Sequence, residues 1–561
     1  MRRYAIATLL AGMALLTFGC GKPSQQAGTT TTGGAPEPPK IELRAAQPID
    51  IPASVLPEGK VPVYLRVRDP QQTVARLGEW TSATQPTMTP QALAQNIEGA
   101  GVPLSKFEPG KNALGAVWPA PNGTRVGGLL PLAAGTDVSQ LGIQTEPLPA
   151  GGLLFGADPS GQGIQQVKSV SEDLVKMQQA PMSSDVELGV DVKGQWAIYG
   201  PMARMMLPGM LASMQQAGPQ MPQGIQAIVN AYLTIGMDLL DQTKSVTLRA
   251  NFDKEAVELS FVLEGDAGTT LTAALGKDPV AAPELTQYLG KNQTVGQFEI
   301  RDMAKLNETV INYLAMMMPN EPDAAAKIRE QFAGSEKIGA MHIGVGMTMA
   351  PDGPMRAEYV MVVDNPDALM QFMREKMGAI NSGPLHDFYK SLDMEISITT
   401  QPLTRQYKGL TIEGYTMSLK PGPNATEADR AMAAKMFPGD MPIESVQLGK
   451  YVLASVGQKV DGVVDRLLSP EAGAPVEAVK AFPAGAMFYI NYDVIGYMRG
   501  ISEAMPNMSR LSLPENAPPL LIAGYHQQGK AYYILRIPRG FVTAIGRMNE
   551  AEAAPAETPA Q

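Results

Sequence analysis

A short pattern recurs along this chain and narrows its fold more than any other feature: an alternating strand, an aspartate, then apolar residues at helical spacing. Val63-Tyr64-Leu65-Arg66-Val67-Arg68 alternates apolar and polar residues, as a half-buried strand does. Asp69-Pro70 follows, with Val74 and Leu77 at helical spacing. Asp is a favoured N-cap and Pro a favoured first helical residue, so the pattern predicts a helix starting here. The same grammar returns at Phe298–Arg301 with Asp302, Leu306 and Val310. It returns again at Val360–Val363 with Asp364, Asn365-Pro366, Leu369 and Phe372, and more loosely at Phe488–Tyr492 with Asp493, Ile495 and Met498. Glu258–Leu263, followed by Asp266 and Leu271, is a looser version. These aspartates read as helix caps, a role that needs no catalysis.

Hairpins fall between the units. Met341–Met347 leads through Pro351-Asp352-Gly353, a stretch of turn chemistry, into the Tyr359 strand. Val246–Ala250 and Val257–Leu263 flank Asp253-Lys254-Glu255, and Leu521–Tyr525 and Tyr532–Ile537 flank Gln527-Gln528-Gly529-Lys530, with a short helix from Phe541. The expected class is α+β: antiparallel β-meanders with helices packed on one face. The rhythm closes twice, which predicts two similar halves at 41–285 and 286–550. This layout resembles large, uncharacterised bacterial envelope proteins in which β-hairpins and helices alternate. That resemblance rests on rhythm and implies no activity.

The ends carry a different message. Arg2 and Arg3 precede the uncharged, mostly apolar stretch Ala5–Phe18, which is shorter than the roughly 20 residues of a spanning helix and has the make-up of a secretory signal. Thr17-Phe18-Gly19-Cys20 resembles the bacterial lipobox, matching it at Gly19 and Cys20 and departing from its usual Leu and small residue at Thr17 and Phe18. The resemblance implies a signal peptide over 1–19 and a lipid on Cys20, the only cysteine of the chain. Gly21, where Asp is absent, favours the outer membrane by the same resemblance, with the body facing the periplasm. An uncleaved anchor, or a signal cut ahead of Cys20 that leaves a free thiol, are the other readings. Residues 20–40 form a Gly-, Ser-, Thr- and Pro-rich linker after the lipidated Cys20, and 551–561 an Ala/Glu/Pro tail. Both lack the apolar content to fold, so both are expected to be disordered.

Between them lie about 500 residues, more than one ordinary core. The net charge of -10 without any basic run argues against nucleic acid as a partner and against charge-driven adsorption to anionic lipid. No cofactor fingerprint is present: Gly344-Val345-Gly346 lacks a third glycine and precedes a strand. His342, His386 and His526 have no neighbours at metal-ligand spacing. His386-Asp387 is the best acid-base candidate, yet no Gly-x-Ser-x-Gly elbow supplies a nucleophile.

Methionine is the one unusual abundance, at 34 residues. Met202, Met206, Met210 and Met214 recur every four residues, a spacing that puts them on one helix face, and Pro208-Gly209 is expected to interrupt that helix. Flexible, polarizable Met suits surfaces that adapt to apolar partners, and equally suits plain core packing. Three functions follow as expectations. The first is a non-enzymatic envelope lipoprotein, held to the membrane by its N-terminal lipid, that binds or scaffolds another envelope protein. The second is a carrier of a lipid or other apolar ligand in a Met-rich groove. The third is a hydrolase with an unrecognised site. No catalytic or metal-binding residue is assigned.

Overall fold

A computed structural model describes residues 36–553, less 121–122, 133–135, 138–142, 150–151, 158–161, 217–222, 277, 319–320, 350–354, 392, 400, 424, 470–475 and 503–512. The signal segment, Cys20 and most of the linker lie outside these residues, as does the tail beyond Ala553. Two compact units divide the chain. The first holds Pro48–Gly209, Asp238–Pro279 and the residues from 513 on; the second holds 36–47, Met210–Met237 and most of 280–502. The expected halves were contiguous; these units are not.

The strands that build the two units run in chain order. β1 is Val63–Val67, β2 Ala113–Ala120, β3 Gly123–Leu130, β4 Gln144–Pro147 and β5 Leu153–Ala157. β6 is Val186–Asp191, β7 Thr243–Phe252 and β8 Ala256–Gly265. β9 is Thr294–Ile300, β10 Met341–Met349, β11 Met355–Val363, β12 Met394–Ile398 and β13 Leu403–Tyr407. β14 is Leu410–Pro421, β15 Met441–Leu448, β16 Tyr451–Val456, β17 Phe488–Tyr492, β18 Leu520–Gln527 and β19 Lys530–Pro538.

In the first unit every pairing is antiparallel, in the order β4-β5-β3-β2-β1-β6-β7-β8-β19-β18. In the second the order is β17-β9-β10-β11-β16-β15-β14, with β12 and β13 sharing the far edge of β14. The class is α+β with antiparallel meanders, as the sequence predicts. The C-terminal hairpin β18–β19 pairs with β8, which places it in the first unit.

Local chemistry explains the turns and caps. Gln528 and Gly529 both take positive φ, 52° and 77°, so β18 and β19 are joined by a two-residue turn with the twist antiparallel strands need. Asp69 caps α1, Pro70–Thr81, by accepting from the Gln72 amide at 3.2 Å, and its other oxygen accepts from the Gly110 amide at 2.9 Å. Asp302 accepts from the Lys305 amide at 3.0 Å and Asp493 from the Gly496 amide at 2.8 Å. Two expected caps are displaced. At the third copy Asn365 is the cap, accepting from the Ala368 amide at 3.1 Å, while Asp364 turns back to the Ala340 amide. At the looser copy Thr269 caps the helix and Asp266 ends the strand connection. In both, the residue next to the first helical turn has the reach to its open amides.

The second unit has a core on each side of its sheet. Tyr359, Met361 and Val363 of β11 pack with helices Met303–Met316, Pro366–Lys376 and Gly383–Ser391; Val360, between them, packs on the opposite side with helix Asp461–Leu468. Met fills the larger core, among others at Met303, Met341, Met370 and Met417.

The first unit is arranged differently. Strand alternation holds on β1, β6 and β7, but the buried face is the polar one. Tyr64 and Arg66 are fully buried and Glu187, Ser245, Thr247 and Arg249 nearly so, whereas Leu65 and Leu248 stay 45% and 44% exposed. Helix Ser171–Gln179 and the segment before β1 cover the polar face: Leu174 and Met177 pack with Tyr64, and the Ala180 carbonyl accepts from the Arg66 guanidinium. The expectation that the apolar positions of β1 face inward is therefore reversed.

Candidate functional site: an exposed Met-bearing helix

β6 ends at Asp191, whose side chain accepts from the Gly194 amide at 3.0 Å and starts α2, Val192–Gln216. Lys193 pairs with Asp266 at 3.0 Å. One turn on, the Trp196 indole donates to Asp241 at 2.6 Å and the Arg204 guanidinium bonds the same carboxylate at 2.5 Å while lying 5.6 Å over the Trp196 ring. The Trp196 donor, with Arg204, holds the Asp241 carboxyl below its usual range. Asp241 sits on α3, Gln223–Gln242.

α2 runs through both Pro201 and Pro208 as one helix, so the expected interruption at Pro208-Gly209 is not observed. Proline has no amide hydrogen to give the carbonyls of Ala197 and Arg204, two turns apart on the helix, and a proline inside a helix costs about 3 kcal/mol. The residues around them do not recover that cost by burial. Ile198, Met202, Met205 and Met206 are 59%, 49%, 78% and 54% exposed, and Tyr199 is exposed beside them. Their steps of four, seven and eight residues put them on one face. No charged side chain occurs between Arg204 and Asp238. Met210 and Met214 belong to α2, but their side chains lie outside the described residues. Among the described residues most buried Met lie in the second unit's core, whereas Met202, Met205 and Met206 on α2 are turned to solvent.

The histidines are scattered. His342 on β10 lies between Glu299 and Val362 in register; burial lowers its pKa, and its Nδ1 is buried without a hydrogen-bond partner. His526 is buried on β18 opposite Ala531. His386 Nδ1 lies 3.3 Å from Asp387 Oδ1 on helix Gly383–Ser391, where the two side chains are partly to largely exposed neighbours in sequence. Among the described residues no group of three or more His, Cys, Asp or Glu could hold a metal ion. No helix among them is long and apolar enough to cross a membrane.

One charged constellation escaped the sequence reading. Arg66, Glu187 and Arg249 stand in register on β1, β6 and β7. Glu187 Oε1 accepts from the Tyr64 hydroxyl at 2.8 Å and from Arg66 at 3.1 Å, and its Oε2 accepts from Arg249 Nε at 2.7 Å. Burial, then the Glu187 carboxylate, pushes the Tyr64 phenol far above its usual value; burial lowers the Arg66 pKa. Other buried carboxylates are likewise tied to structural donors. Glu358 accepts from the Gly290 amide and Gln458, and Glu444 from Arg405 and the Val460 amide. The signal for the first cluster was present in the sequence as polar residues at alternate positions of β6 and β7, Glu187, Ser245, Thr247 and Arg249, matched to Arg66.

Compared with protein-family models, with curated proteins and with solved structures, the chain finds no match.

Proposed function

We propose that this chain is an envelope lipoprotein, lipidated at Cys20 and facing the periplasm, whose body binds another envelope protein and performs no catalysis. The observation that carries the reading is the solvent-facing apolar stripe on α2, Ile198, Met202, Met205 and Met206. Isolated exposed apolar residues are ordinary, but a contiguous stripe on a helix carrying proline inside it is a surface that gains by being covered. Its methionines adapt to a partner's shape. Helix-to-groove docking reads such i, i+4, i+7, i+8 anchors. Exposure of about half or more at each of these residues supports a contact face over an enclosed lipid-carrying groove.

The test places a photo-cross-linking residue at Met202 in the membrane-bound protein and, as a control, at Lys254 in the β7–β8 turn. A single cross-linked envelope protein from position 202, absent from position 254, is the expected result. Equal labelling from both positions, or none from 202, would reject α2 as the contact face.

A further inference from the structure

A solvated sheet face ordinarily carries polar residues, because the other face takes the core. On β1, β6 and β7 of the first unit this is inverted, and the outward face has no charge at all over the central strands. Register places Gly115, Leu65, Leu188, Leu248, Phe261 and Tyr533 in one continuous row across β2, β1, β6, β7, β8 and β19. The flanking rows are built the same way: Val63, Val190 and Val246 on one side, Val67, Val186 and Leu259 on the other. Leu65, Leu248 and Leu259 are exposed.

We infer that this face packs against the same face of a second copy of the chain, sheet on sheet. Three observations select that occupant. The first is charge. The chain carries a net charge of -10, so two copies repel over most of their surfaces; this face has no charged side chain to desolvate or to mismatch. The second is shape. Antiparallel sheet faces of Val, Leu and Phe interdigitate at about 10 Å separation with strands nearly aligned, and a two-fold axis makes one apolar patch complementary to itself. The third is area. Six strands at about 4.8 Å spacing and three residue rows at about 6.8 Å, less the two positions where Leu263 and Ala531 are already buried, give a patch of roughly 520 Å². Two such patches cover about 1,040 Å², which just clears the roughly 1,000 Å² of a specific interface.

The full chain, extracted from its membrane in mild detergent, should appear as two copies by native mass spectrometry. L65E/L248E should raise the dissociation constant at least about thirtyfold, the loss of one strong interfacial anchor. Amide exchange on the covered face, at Glu187 and Arg249, reports that the variant still folds. L65T/L248T keeps strand preference and should weaken the dimer in the same direction. One copy in the unmodified protein, or a dimer indifferent to both variants, overturns the inference. So does a cross-linker at Leu248 that labels lipid or a different protein instead of the chain itself.

Discussion

Glu187→Gln is the most demanding test of how the first unit is held together. Glu187 is the one carboxylate shared by Arg66 and Arg249, and it also accepts the Tyr64 hydroxyl. Arg66 is fully buried and Arg249 is 5% exposed, so water cannot replace the lost charge. Removing one member of a buried ion pair typically costs about 3–5 kcal/mol, because the remaining charge is left uncompensated. Here two guanidinium groups are left, which puts the expectation at the upper end of that range. The unit's own opening is the correct readout, since a chain of two units need not unfold in one step. Hydrogen exchange at Leu188 and Val190 of β6 should speed up by roughly two to three and a half orders of magnitude. A second variant separates charge from packing. Replacing Tyr64, Arg66, Glu187 and Arg249 together by Phe, Met, Leu and Met should leave stability nearly unchanged or raise it, as apolar replacement of a whole buried ion cluster often does. Exchange altered by less than about tenfold in Glu187→Gln would mean the cluster is hydrated, and the account of the inverted sheet would fail.

Asp302→Ala and Asn365→Ala should each destabilise the second unit by about 0.5–2 kcal/mol, read by denaturant titration, while Asp364→Ala leaves the start of helix Pro366–Lys376 intact. His342 makes that unit acid-sensitive. Its folded pKa lies below the unfolded value of about 6.5, so above that pH both states are neutral, and as pH falls the unfolded chain takes the proton first. Stability should therefore drop as pH falls below about 6.5 until the folded imidazole is protonated too, and His342→Leu should flatten that slope. Cys20→Ser should release the protein from the membrane fraction or stall its maturation; unchanged partitioning would rule out lipidation at that residue.

Much of the fold was legible because it is written locally. The strand preceding Asp69, the caps at Asp302 and Asp493 and the Gln528-Gly529 turn each depend on a few adjacent residues. What escaped depends on partners distant in sequence. Alternation at Val63–Val67 specifies two faces but not which one a later layer will cover; helix Ser171–Gln179 covers the Tyr64 and Arg66 side. The Met spacing places Met202 and Met206 on one face of α2, yet spacing does not say whether a face is inside, and both lie outside. Pro208 was a strong local signal for a break that α2 overrides. The membership of the C-terminal hairpin was equally invisible, since nothing in its own residues names β8 as a neighbour.

That pairing sets a clock on synthesis. Glu264 of β8 meets Lys530 of β19, 266 positions later (530 minus 264). At about 5–20 residues per second the ribosome needs roughly 15–50 s to deliver the missing strand. Throughout that interval β8 is a bare edge, its amides and carbonyls open to any strand that passes, including β8 of a neighbouring nascent chain. The residues made meanwhile include the second unit's meander from Thr294 to Tyr492, whose strands pair with one another and can form before the first unit's sheet is complete. The protein is thus assembled out of order: the part begun first is closed last, by its final hairpin.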